Sequence, residues 1–200
     1  MGEPDQTSSP PEAPGIDQRV AKAAMAVLAE QGWDGFTQER VAERAGISRV
    51  TSWRQGLTRE RLVAALLDRL GSDFRETLWP VLTMEGTGAR RLTIGLERLC
   101  DVVDRHAPLL VASDRVFHHR FRREHGASGV DFVEPFARFI SEGGADGSLR
   151  RLGSDLPEVA EVVFNTVCWT YLHLRDAHDV PAERARTLVI NLVLRGLTAP

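Results

Sequence analysis

Apolar side chains in this 200-residue chain recur every three or four positions from Ile16 to Leu194. Nowhere do they alternate long enough to build a strand. That periodicity commits the chain to helices packed on helices, so an all-α fold of about nine helices is expected. Ile16, Val20, Ala23, Ala24, Val27 and Leu28 give the first helix, which Gly32 ends. Thr37, Ser48 and Thr58 are well placed to cap three more, the last carrying Leu62, Val63, Leu66, Leu67 and Leu70. The apolar pattern continues from Phe74 to Leu82, with a stop or kink near Pro80. Residues 89–105 form a further helix, and Pro108 opens another running to Phe117. Phe132, Phe136, Phe139 and Ile140 form a stripe ended by Gly143 and Gly144. Long final helices start at Asp155 and at Pro181.

Hydrophobic residues make up 42% of the chain and charged residues 26%, an ordinary globular balance that excludes wholesale disorder. Residues 1–15 are the exception: proline-rich, with Glu3, Asp5 and Glu12 and no base, they read as a disordered tail. The net charge of -3 argues against a polybasic chain, yet residues 16–62 carry an excess of two positive charges. The expected organisation is a small module at 16–62 followed by a larger helical domain at 63–200. The first residues lack the basic region and apolar core of a signal peptide, and Cys100 and Cys168 sit among apolar neighbours. Both points suggest a cytoplasmic protein with reduced thiols.

The pattern of greatest functional consequence is at residues 37–55: a helix, a glycine-containing turn and a short second helix. Gly46 sits where the chain must turn sharply. Such a helix-turn-helix lays its second helix in the DNA major groove. With Ile47 and Val50 turned toward a small core and Trp53 on the same side, the second helix would present Arg49, Thr51, Ser52 and Arg54. Arg49 and Thr51 are the expected base readers. Thr37 and Ser48, at the starts of the two helices, join the DNA-facing candidates.

Residues 19–63 resemble the N-terminal domain of TetR-family transcriptional regulators. The resemblance rests on Gly32-Trp33, Thr37, Val41-Ala42, Ala45-Gly46-Ile47-Ser48, Thr51-Ser52-Trp53 and Thr58-Arg59-Glu60-Arg61-Leu62. Beyond these residues only helical character, length and the turn at 146–150 resemble the family. The departures are specific. Trp53 stands where the family has Tyr, Gln55-Gly56 where it has His-Phe, and Arg59 where it has Lys. The resemblance implies phosphate contacts from Trp53, Gln55 and Arg59. It also implies a cytoplasmic bacterial homodimer, a repressor released from a palindromic operator by a small molecule.

The larger domain offers Phe117, Phe136 and Trp169 as walls of an effector pocket within residues 74–175. Its last two helices are apolar on more than one side, so Val163, Val167, Tyr171, Leu174, Val189 and Val193 are expected to pair two subunits into a four-helix bundle. The basic run Arg115 to His125 contains His118, His119 and His125, but its four arginines would repel a cation, and no metal site or cofactor is expected. Glycine-rich phosphate loops, GxSxG and HExxH are missing from the sequence, and no enzyme is expected. The alternative is a dimeric helical scaffold that kept the helix-turn-helix but lost specific DNA binding, a reading motivated by Trp53 and Gly56.

Overall fold

The computed structural model describes the backbone of residues 16–117 and 130–198, and the side chains of 16–112 and 130–198. These residues form eight α-helices and a single 3-10 turn, with no strand among them. In chain order the helices are α1 (Gln18–Gly35), α2 (Gln38–Arg44), α3 (Arg49–Arg54), α4 (Arg59–Thr83), α5 (Gly88–Phe117), α6 (Glu134–Asp146), α7 (Leu156–Asp176) and α8 (Ala182–Leu197).

The caps read from the sequence hold at the start of the chain. The side chains of Thr37, Ser48 and Thr58 accept from the backbone N–H groups of Arg40, Thr51 and Arg61, closing the first turns of α2, α3 and α4. Gly32 interrupts α1 at φ 63, a left-handed conformation open to glycine, and the next residues wind on to Gly35. Asp155 differs from expectation. It lies in the 3-10 turn and makes no side-chain cap bond to α7.

Two other boundaries are corrected. Pro108 does not open a helix but lies inside α5, which runs unbroken through it. A proline removes one N–H bond and clashes with the preceding turn, a local penalty that packing along both flanks of a long helix can outweigh. Gly143 and Gly144 do not end α6, which continues to Gly147 at φ 79. Neighbours press close on Gly143, where a side chain would strike Leu149, and on Gly88, where one would strike the Gly143 backbone.

A continuous core joins every helix except α3, from Val20 and Ala24 to Val189 and Leu197. The expected boundary at 62/63 falls inside α4, whose N-terminal half packs Leu62 and Leu66 into the small three-helix head, while Phe74 and Leu78 enter the larger bundle. α4 therefore runs from one into the other, and α1 of the head also packs directly against α5 of the bundle.

Candidate nucleic-acid interface

The geometry of α3 is set by α1, α2 and the turn at 45–48. Gly46 adopts φ 66 and donates to Glu43 O, and Ile47 N–H bonds Ala42 O, which folds the chain back at the end of α2. Arg44 makes a two-bond ion pair with Glu30, 2.6 Å at each contact, tying α2 to α1. At the far end Gly56, at φ 58, closes α3, and the Arg61 guanidinium donates to the carbonyls of Gln55 and Gly56. The next residue, Leu57, is buried, so the core near the family's missing aromatic is filled from one position further along.

Which face α3 presents differs from the expectation. Ser52 is buried, and its hydroxyl accepts a 3.0 Å bond from Gln38 Nε2. Val50 is 67% exposed and Trp53 79% exposed. Ser52 is therefore removed from the DNA-facing set and Val50 from the core; Ile47 alone of the expected pair packs inward. The signal was present in the sequence. The family pattern carries a hydrophobe between Thr and the aromatic, the place Ser52 holds, so that position faces inward. Burying a serine is tolerable because Gln38 supplies the hydrogen bond.

The remaining candidates divide into two groups. Arg49, Arg54 and Gln55 are exposed, and among the described residues neither Arg49 nor Arg54 makes a hydrogen bond or ion pair. Thr37, Ser48 and Thr51 spend hydroxyl groups locally: the first two are caps, and the Ser48 and Thr51 hydroxyls lie 2.9 Å apart. Arg59 is turned inward. Its guanidinium stacks 4.0 Å over the Trp33 ring and donates to Trp33 O at 2.5 Å. It braces the start of α4 against the end of α1 rather than standing free for a phosphate.

In the larger bundle, Phe136 is fully buried and contacts Phe74, Phe139 and Phe164, with ring centroids 5.9–6.3 Å apart. Phe132 closes the group 4.8 Å from Phe74. Phe136 therefore fills the centre of the bundle instead of lining a hollow. Trp169 is half-buried and donates its indole N–H to Asn165. The Phe117 side chain and His118, His119 and His125 lie outside the described residues. A cleft of about 330 Å³ lies elsewhere, between α6 and the 151–156 turn, against Ile140, Arg151 and Leu156. Among the described residues no three metal-ligating side chains cluster, and no helix is long and apolar enough to cross a membrane.

The expected dimer residues are also corrected. Val163, Val167, Tyr171 and Val189 are buried within the chain itself, and Leu174 and Val193 pack partly against the same core. Tyr171 donates to Asp104 at 2.6 Å, joining α7 to α5. The apolar side chains left outward on α7 and α8 are Val162, Leu188 and Leu192, 52–70% exposed. Periodicity does not single them out, because both helices are apolar on two faces and the pattern alone does not say which face a third helix covers.

Comparison with known proteins bears on these features. Residues 20–51 match the family model of bacterial regulatory proteins, tetR family. Comparison with curated proteins gave no match. Among solved structures, a TetR/AcrR-family transcriptional regulator from Thermobifida fusca is similar at TM-score 0.69, with 18% identity over 90% of this chain and 98% of that one. A ketosteroid transcriptional regulator of Mycobacterium tuberculosis gives 0.71, with 16% identity over 94% and 98%. A fatty acid degradation regulator from Bacillus halodurans gives 0.71, with 14% identity over 89% and 94%. The matched segment is the α1–α3 head, and the likeness in fold runs through the larger bundle. The head segment thus matches the tetR family of bacterial regulatory proteins, and the fold of the whole chain is similar to that of TetR/AcrR-family transcriptional regulators.

Proposed function

We propose that this chain works as a cytoplasmic homodimeric repressor that binds a palindromic DNA operator through α3 and leaves it when a small molecule occupies the larger bundle. The observation that carries the reading is the exposed face of α3. Two unpaired guanidinium groups, Arg49 and Arg54, flank an exposed indole on a helix held at both ends by bonds to its own turn residues. Free cations on a rigid, short second helix suit phosphate and guanine, while the buried Ser52–Gln38 pair fixes which side faces out.

A dimer follows from the need for readout. One short helix touches too few base pairs to select a site, and two related by a two-fold axis read a palindrome. Val162, Leu188 and Leu192 supply the outward apolar surface for pairing α7 and α8 with their copies. The effector is apolar with one or two polar groups, bound within residues 74–175. Similarity in fold to a ketosteroid transcriptional regulator and a fatty acid degradation regulator favours that chemistry. Because α4 belongs to both head and bundle, occupancy that moved Phe74 would change the separation of the two α3 helices. Release requires that the effector bind the DNA-incompetent spacing more tightly.

Selection of duplexes from a random pool by the purified protein tests the reading. Recovery of a palindrome with half-sites about one helical turn or somewhat more apart is expected. Failure to enrich any sequence at low salt would overturn it in favour of the scaffold. The release step fails separately if steroid and fatty-acyl compounds leave affinity for the recovered duplex unchanged.

A further inference from the structure

Val50 is an exposed aliphatic side chain in the middle of a surface otherwise made of cations, an indole and an amide. It contributes nothing to the core, which is closed beneath it by Ser52, Ile47 and Leu57. At about 100° per residue, Val50 and Arg54 each stand about 160° around α3 from the buried Ser52. They therefore share the outermost line of the helix, one turn apart, with Trp53 beside them. Arg49 and Thr51 lie toward the flanks, and Thr51 is held by Ser48.

We infer that Val50 is a sequence-reading residue that packs its methyl groups on the C5-methyl of a thymine, with Arg54 the cation closest to the same base step. The inference rests on the proposed DNA binding and assigns the specificity within it. In the major groove thymine is the only base offering an apolar group, so an aliphatic side chain on the outermost line of the helix discriminates thymine from cytosine without any hydrogen bond. A Val placed over phosphates or over a guanine edge would instead bury polar atoms without partners.

The test replaces thymine by deoxyuridine, one position at a time, in a duplex recovered by selection with the unmodified protein. Uracil keeps every hydrogen-bonding group of thymine and lacks only the methyl. At one thymine in each half-site, removal of the methyl is expected to weaken binding about fourfold, the worth of one buried methyl. In Val50→Ala that penalty is expected to disappear, because the facing methyl groups are already gone. Since Val50 is exposed, Val50→Ala is expected to melt with the parent protein. The inference is overturned if the recovered half-site contains no thymine, if deoxyuridine has no effect anywhere, or if it weakens Val50→Ala equally. Failure to recover any DNA sequence would overturn the underlying DNA reading and this inference with it, a result distinct from the other three.

Discussion

Arg59 illustrates how a residue type can match a family position while its environment gives it other work. The guanidinium covers the Trp33 ring and bonds a backbone carbonyl, so its positive charge is engaged before DNA arrives. Arg59→Ala is expected to lower unfolding stability by about 1–2 kcal/mol, from the lost ring contact and hydrogen bond. The salt dependence of DNA binding should stay nearly the same. Urea unfolding and binding titrations at several salt concentrations check both halves; a slope reduced by about 1 with stability unchanged would return Arg59 to the phosphate. Gly46, at φ 66 with open space around it, is a cleaner case. Gly46→Ala is expected to cost about 1–2 kcal/mol from backbone strain alone, measurable by the same unfolding curve.

Among the elements, the pairing of α4 with α5 carries a polar cluster in an otherwise apolar bundle. Asp73 on α4 accepts from Arg105 Nε at 2.8 Å and from Arg105 Nη2 at 3.1 Å, and His106 Nε2 lies 3.0 Å from it. Burial pushes the Asp73 carboxyl up, but the bonds from Arg105 and His106 outweigh it and hold it below its ordinary value. His106 is likewise held below its usual 6.5: burial lowers it, despite the nearby Asp73 carboxylate. Its Nδ1 is buried with no hydrogen-bond partner among the described residues, so a second proton there would be unsatisfied. Because the unfolded chain takes that proton first, the contribution of His106 is complete above about pH 6.5 and is lost as pH falls through the depressed folded value. The melting temperature should therefore drop between pH 7 and 5, and His106→Gln should flatten the fall. An identical slope in the variant would dissociate the effect from His106.

The helical periodicity made most of these elements legible, and the capping residues placed the starts of α2, α3 and α4. What periodicity could not supply was the inward or outward sense of a six-residue helix. Val50 and Ser52 are two apart in a helix barely longer than one turn, and apolar character alone chose wrongly. The length of α5 was hidden for a related reason. Pro108 is a strong local breaker, and only the surrounding bundle makes continuation favourable.

At the scale of the whole molecule, α4 runs from a small head into a large bundle, and exposed apolar side chains lie on α7 and α8. Leu192→Glu is expected to convert a dimer to a folded monomer of about half the mass by sedimentation, since Leu192 is 70% exposed and touches little of its own chain. Val163→Glu, 4% exposed, should instead unfold the protein by burying an unpaired charge. Two folded monomers, or two unchanged dimers, would contradict the division between inner and outer faces. The proposed dimer in turn sets what the head would recognise, because only paired α3 helices read two half-sites. The most direct measurement is therefore equilibrium binding of the intact protein to a selected palindrome and to the same duplex with both half-sites scrambled, followed from low to physiological salt. The account predicts that both affinities fall steeply with salt, and that the palindrome stays at least about 1,000-fold tighter. Equal affinity for the two duplexes across the salt range would contradict it.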